Sequence, residues 1–318
     1  MEIKQLFHEI MTLALAKQAS DVYFLPKRDN YEVKMHTLQG ALQLSNLDNE
    51  TARRLLTYCK YRGGLSIAER RRPQLGSLDL PVDKQLIRLR LATVGSFNQQ
   101  EALVLRIIYD GQAHHCQFFN PEVLPQLKRL TSSRGLFLFA GPTGSGKTTT
   151  IYELARSLPE TEMVMAIEDP VEIFEERFLQ LEVNDAAGMS YGQLLKVGLR
   201  QRPDVFIIGE IRDRKTAQIA IRAALSGHLV LSTIHAQNLA GIKARLLDLK
   251  VSEDQYQAAL TAVVYQRLLP TCNQETRALL AWQSQPAPQS GSSWELELNR
   301  IQKQGMITNE CYEAFKQG

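Results

Sequence analysis

Apolar positions along this chain change their period more than once, and the changes mark its organisation. Ile3, Leu6, Phe7, Ile10, Leu13 and Ala14 recur at three- and four-residue spacing, which predicts an amphipathic helix over residues 1–19. From Ala19 to Pro26 the chain turns extended, with Ser20 or Asp21 as the breaker. Runs at 31–35 and 41–44 flank a turn near Gln39 and Gly40, predicting a hairpin. A helix is expected from about residue 49 to 60, and two strand-like runs follow at 85–91 and 102–108, separated by Gly95 and Asn98. Several strands with two or three helices predict a small α+β domain over residues 1–110.

No period is visible from Asp110 to Cys116, and a linker is expected over 111–120. Within it His114 and His115 are adjacent and lack a third ligand nearby, so they read as a loop feature rather than a metal site. Asn120 and Pro121 are suited to N-cap and first turn of the next helix, with Val123, Leu124, Leu127 and Leu130 on one stripe. From Gly135 onward, short apolar runs at 136–140, 163–167, 205–208 and 229–233 alternate with helices starting near Lys147, Met189 and Lys215. That alternation predicts an α/β domain over 121–272, built on a mainly parallel sheet with both faces covered. Helices are expected at 238–249 and 255–268. Beyond Cys272 the pattern fades; 283–293 is low-complexity and expected to be a mobile connection, and 294–315 forms a short amphipathic tail. The region 273–318 is thus expected to be a partly mobile C-terminal tail, with no role assigned to it.

Bulk properties narrow the class. With 318 residues, 44% of them hydrophobic and 22% charged, two domains with sizeable cores are expected. No stretch approaches a membrane span of about 18 apolar residues, and the start lacks a secretory apolar run, so the chain is expected in the cytoplasm. Residues 1–110 hold 16 Lys+Arg against 12 Asp+Glu, and the remainder 21 against 22, for a net charge of +3. The excess gathers at Arg53, Arg54, Lys60, Arg62 and Arg70 to Arg72, either a solvated face or a docking surface. These residues are not interleaved with stacking aromatics, so direct nucleic-acid binding is not expected. No strongly amphipathic basic helix points to lipid. Cys59, Cys116, Cys272 and Cys311 are widely spaced and suggest neither a zinc site nor a disulfide framework.

One stretch carries chemistry outright. Gly141, Pro142, Thr143, Gly144, Ser145, Gly146, Lys147 and Thr148, followed by Thr149, fit the pattern G-x-x-x-x-G-K-[ST] between an apolar run and a helix. Glycines let backbone amides curl around phosphate oxygens, and the following helix turns its positive end toward the same charge. Lys147 would reach the β and γ phosphates and the Thr148 hydroxyl would ligate Mg²⁺. The competing reading, a glycine-rich turn without a ligand, leaves the flanking strand and helix unexplained. In a parallel sheet ligands gather at the carboxyl ends of strands, which brings Glu168, Glu210 and His235 into consideration. Glu168 is the candidate for orienting water. Glu210 either holds Mg²⁺, directly or through water, or forms a salt bridge to Arg212 or Arg214.

With these residues in view, the chain resembles the ATPases that drive type II secretion systems, type IV pili and DNA-uptake pseudopili. Residues 141–148, 166–172, 199–213 and 224–235 resemble that family's Walker A, Asp-box, atypical Walker B and His-box motifs, in the same order. The resemblance implies a RecA-like P-loop NTPase domain, with Glu168 as catalytic glutamate and Glu210 as Walker B glutamate. It implies that His228 and His235 link the γ-phosphate to subunit conformation; without it, His228 reads as a helix-end residue and His235 as a buried polar group. It also implies that Arg90 and Arg106 face the nucleotide within a ring; the alternative reading is two solvent-facing strand residues. ATP and Mg²⁺ as cofactors, a homo-hexameric ring and an inner-membrane platform protein as partner follow from the same resemblance.

Three departures stand out. The four-cysteine zinc module common in the family cannot be built around Cys272, so no zinc is expected. Two small-domain turns differ, at residues 36–40 and 74–77, and the chain starts directly in the small domain. A short, zinc-free member is most similar to the Gram-positive competence branch, which assembles the pseudopilus for DNA uptake. The rival readings are a pilus-retraction motor, a RecA-like nucleic-acid translocase and a small-molecule kinase.

Overall fold

The computed structural model describes residues 2–37, 40–82, 85–110, 116–184, 187–273, 275–285 and 291–318. They form two compact units, Met1–Asp110 and Gly111–Gly318. Gln39, His114 and His115, on which a turn and a loop were expected, lie outside the described residues.

The first unit runs α1 (Ile3–Ala16), β1 (Asp21–Pro26), β2 (Asn30–Thr37), β3 (Gly40–Asp48), α2 (Asn49–Arg62), β4 (Gln74–Val82), β5 (Gln85–Gly95) and β6 (Glu101–Asp110). Its sheet has the order β3-β2-β1-β6-β5-β4, with every neighbouring pair antiparallel. The periodic stripe of α1 buries Leu6, Phe7, Ile10, Met11 and Ala14, and α2 adds Ala52, Leu55, Leu56 and Cys59 to the same core. α2 starts after Asp48 because its carboxylate accepts the Glu50 and Thr51 amides. Alternation sorts the strands: Leu89, Leu91, Leu103 and Leu105 go inward, while Arg88 and Arg106 stay exposed. β4 was not anticipated. It is an edge strand, where Gly76 and Pro81 are tolerated.

The second unit contains α3 (Val123–Thr131), β7 (Gly135–Ala140), α4 (Lys147–Arg156), β8 (Val164–Glu168), β9 (Ile173–Phe174), β10 (Leu179–Glu182), α5 (Tyr191–Gln201), β11 (Val205–Glu210), α6 (Arg214–Leu225) and β12 (Leu229–Ile234). It continues with α7 (Leu239–Asp248), α8 (Glu253–Ala259), β13 (Leu260–Pro270), β14 (Thr276–Ser284), β15 (Gly291–Ser292), α9 (Trp294–Lys303) and α10 (Asn309–Phe315). The sheet order is β10-β8-β11-β12-β7-β13-β14-β15. It is parallel from β10 through β13 and antiparallel at β14 and β15. Leu136, Leu138, Phe206 and Ile208 point into one apolar layer. Phe137, Phe139, Val205 and Ile207 point into the other. Burial on both faces is why these strands read as unbroken apolar runs.

Two expectations need correction. The helix expected over 255–268 ends at Ala259, and Leu260–Pro270 is a strand between β7 and β14. A strand buried on both faces shows no alternation, and only Thr261, Val263 and Val264 carried the β-branched signal. Past Cys272, where the pattern fades, Thr276–Ser284 extends the sheet, while residues 286–290 of the expected mobile connection lie outside the described residues. Leu298, Ile301, Ile307 and Cys311 of the last two helices and their connection pack against Phe119, Leu269 and Leu279. A smaller shift concerns α3, which starts at Val123, while Asn120 caps the preceding turn by accepting the Glu122 amide at 3.1 Å. Among the described residues no helix is long and apolar enough to cross a membrane.

Candidate nucleotide site

The parallel order places the carboxyl ends of β7, β8, β11 and β12 along one edge, and the predicted chemistry collects there. β7 ends at Ala140 and runs directly into the glycine-rich loop. Gly141 has φ 146°, and a Cβ there would lie 2.2 Å from the Gln266 carbonyl oxygen and 2.8 Å from Ser145 Oγ. Glycine is required by both conformation and space. Gln266, fully buried in β13, donates its Nε2 to the Ser145 carbonyl at 2.7 Å and so pins the loop to the neighbouring strand.

Gly146 is the left-handed N-cap of α4 and provides no side-chain cap, which leaves that helix end to its backbone amides. Pro142, Thr143 and Gly144 form the exposed crest, while Thr148 and Thr149 stand half-buried in the first turn of α4. Lys147 donates to the carbonyls of Gly141 at 2.9 Å and Pro142 at 2.8 Å. Burial pulls the Lys147 pKa down, against the charges of Glu210 and Glu172. Ser145 Oγ is buried without a hydrogen-bond partner. The loop thus presents amides, hydroxyls and an ammonium in a cradle that a Cβ would fill, a donor set that fits phosphate oxygens.

Glu168 closes β8 and is only 3% exposed. The Tyr152 hydroxyl of α4 donates to its Oε1. Gly209 on β11 passes so close that a Cβ would lie 3.3 Å from Glu168 Cα and 3.0 Å from the Tyr191 hydroxyl. Burial, then the Asp169 charge, holds the Tyr191 pKa well above its usual value.

Glu210 follows a register shift between β11 and β12 that sets it opposite Thr233. Such bulges re-aim a side chain. Its carboxylate accepts from Arg212 Nε at 2.5 Å, and His235 Nε2 lies 3.0 Å from Oε1. Arg212 also stands 3.8 Å from Asp169. Of the two residues expected to hold Mg²⁺, Thr148 stands half-buried in the first turn of α4, and Glu210 forms the alternative salt bridge to Arg212.

Residues 141–149, Glu168, Glu210 and His235 therefore share one edge, following strands that are neighbours in the sheet. His228 does not join them. It precedes β12 at the opposite edge, where its Nδ1 lies 3.0 Å from the Ala223 carbonyl and its ring packs on Phe206. A six-residue strand separates it from His235, about 20 Å at the usual rise. Arg90 and Arg106 are directly opposed across β5 and β6 of the first unit, and Arg106 Nε pairs with Asp21 at 2.9 Å. Sequence reasoning missed Tyr152, Gln180 and Gln266. Tyr152 sits one residue from the apolar stripe through Ile151 and Leu154, and Gln266 lay in a segment read as helix.

Comparison with known proteins follows the same line. Residues 1–317 match the family described as Type II/IV secretion system protein. The competence protein ComGA of Streptococcus pneumoniae is 40% identical over 315 residues, covering 99% of this chain and 98% of that protein. The type IV pilus assembly ATPase TfpB of Acinetobacter baylyi is 37% identical over 275 residues, covering 84% of this chain and 46% of that protein. In fold, the chain is similar to the X-ray structure of the Legionella pneumophila ATPase DotB, with a TM-score of 0.79 over 97% of this chain and 94% of that one, at 18% identity. The expected α/β architecture, a RecA-like P-loop unit preceded by a small α+β unit, is borne out.

Proposed function

The chain belongs to the type II/IV secretion system protein family, and on that footing we propose that it is an ATP-hydrolysing motor powering assembly of a type IV-like pseudopilus for DNA uptake. The observation that carries the motor reading is the meeting of Lys147, Glu168 and Glu210 at one sheet edge beneath the glycine-rich loop. The direction toward DNA uptake is supported by near full-length likeness to the competence protein of Streptococcus pneumoniae.

When bound, ATP with Mg²⁺ supplies the scissile phosphoanhydride and the cation that offsets its charge. The amides of residues 143–149 grip phosphate oxygens, and Lys147 exchanges its two loop carbonyls for them. Thr148 and Glu210 are the proposed cation ligands. Glu168 orients the attacking water and receives its proton at a carboxylate oxygen. His235, bonded to Glu210, carries the state of that carboxylate to the end of β12. His228 is assigned to linking α6 to the amino end of β12, through Ala223. Arg90 and Arg106 are assigned to facing a nucleotide within the ring, where their charge would offset that of the phosphates.

The motor works as a homo-oligomer, a hexameric ring, at the cytoplasmic face of the membrane, where an inner-membrane platform protein receives its motion. Neither zinc nor direct nucleic-acid contact has a part in this scheme. Deleting the gene and scoring DNA uptake, protein secretion and surface motility side by side tests the assignment. Loss of uptake alone, with Lys147→Ala behaving as the deletion, is the expected result. Loss of motility with uptake intact would reassign the motor to pilus retraction.

A further inference from the structure

We infer that Tyr152 is a positioning residue for the Glu168 carboxylate, and that Gln180 fixes the direction in which the Tyr152 proton points. This rests on the reading of Glu168 as the water-orienting group, and adds to it a device built from α4 and β10.

Tyr152 is fully buried. Its ring packs against Phe178 at 5.5 Å between centroids, and the Arg156 guanidinium lies 5.9 Å over its face. Flipping a phenol ring leaves its oxygen on the axis, so this packing fixes where the hydroxyl is. That hydroxyl meets Glu168 Oε1 on one side and Gln180 Nε2, at 2.8 Å, on the other.

The proton's direction follows from groups whose polarity cannot reverse. Gln180 Oε1 accepts the Glu175 backbone amide at 2.9 Å, and Gln180 Nε2 donates to the Ile173 carbonyl at 2.7 Å. Both partners are main chain, so only one orientation of the side-chain amide satisfies them. The second Nε2 proton then points at the Tyr152 oxygen, which must accept. A phenol has a single proton to give, and Glu168 receives it. Glu175 is held in turn by Arg156 Nε at 2.5 Å, which ties the relay back to α4.

The consequence is electrostatic as well as geometric. A carboxylate only 3% exposed would drift toward its neutral form through burial alone. A donor whose proton cannot turn away favours the charged form, the one able to orient water and take its proton. Burial and the Glu168 charge hold the Tyr152 pKa far above its ordinary value, so the phenol stays a donor across the working range. Phenylalanine would fill the same space and supply none of this.

The test is steady-state ATP hydrolysis by the full chain from about pH 5 to 9, with thermal melts to confirm folding. Tyr152→Phe is expected to lower kcat about ten- to a hundredfold, the range of a hydrogen bond to a charged group. KM for ATP should stay within about twofold, and the acid limb of the kcat profile should move up by about one pH unit. Gln180→Glu offers the Tyr152 proton a second acceptor while leaving the ring packed, and the acid limb should move the same way. An unmoved kcat and acid limb in Tyr152→Phe, with Glu168→Gln inactive, would reduce Tyr152 to a packing residue. Should Tyr152→Phe not fold, an unmoved acid limb in Gln180→Glu overturns the inference by itself. A fully active Glu168→Gln would instead remove the underlying role of Glu168.

Discussion

His235 Nε2 lies 3.0 Å from Glu210 Oε1, joining the ends of two neighbouring parallel strands through one carboxylate. Arg212 holds the other oxygen at 2.5 Å, so Glu210 is fixed from both sides. The His235 side chain is 61% exposed, and a contact so wet contributes at most about 1 kcal/mol to stability. Its value lies in coupling. His235→Ala should therefore melt within about 3 °C of the parent and bind nucleotide within about threefold. Turnover should fall at least about tenfold, a loss of near 1.4 kcal/mol from the transition state. Phosphate release and fluorescent-nucleotide titration on the same preparation separate the two effects. Equal losses in binding and turnover would make His235 a binding residue.

Gln266 is a second dependence of the site. Its bond to the Ser145 carbonyl is buried, and its own Oε1 has no partner. Gln266→Leu leaves a buried carbonyl unsatisfied but also removes an unpaired oxygen, so the net cost should fall near the low end of about 1–3 kcal/mol. The functional cost should be larger, because the loop loses its tie to β13. Urea melts and nucleotide affinity measured together check this, with affinity expected to drop about tenfold. Gly141→Ala should be more severe, since its Cβ would meet the Gln266 carbonyl at 2.2 Å. An unchanged affinity in Gln266→Leu would mean that the loop keeps its shape unaided.

Much of this site was legible because its residues follow apolar runs. Glu168, Glu210 and His235 each come directly at the end of a short strand, and the loop from Gly141 to Thr148 has a fixed spacing. The supporting residues were not legible for a physical reason. Tyr152 and Gln180 are far apart in sequence and meet only when β10 joins β8 in parallel. Gln266 was hidden because the apolar residues before it, Ala262 to Tyr265, do not alternate with polar ones, and such a run cannot be told from a buried helix by its period. For His228 the motif implied a place beside the γ-phosphate, and only the run of β12 shows that it lies at the far edge.

The cysteines give a pH-dependent prediction. Burial pushes the Cys116 thiol up to about 11, and Cys59 higher still, while Cys272 is exposed. Alkylation requires thiolate, and at pH 8 a thiol of pKa about 11 is ionised roughly one part in a thousand. Maleimide at pH 8 should therefore mark Cys272 first and leave Cys116 at least about a hundredfold slower, read by peptide mapping. The linkage has a definite sign. A thiol whose folded pKa is raised loses its contribution to stability as pH climbs from about 9 through about 11. Urea midpoints should fall over that window, and fall less in Cys116→Ala.

Arg90 and Arg106 face each other directly across β5 and β6, and opposed like charges cost a sheet a few tenths of a kcal/mol up to about 1. Asp21, 2.9 Å from Arg106, offsets part of that cost. Arg106→Gln would remove the cation beside Asp21, which is only 6% exposed and would keep the Ser20 hydroxyl as a donor, so it should lose about 1 kcal/mol. Arg90→Gln leaves the Asp21 pair intact, and its melting temperature should stay within a few degrees of the parent. Its ATP turnover should nevertheless fall at least about tenfold if the pair faces a nucleotide within the ring. A folded Arg90→Gln protein with full turnover and full DNA uptake would return both arginines to the role of ordinary strand residues.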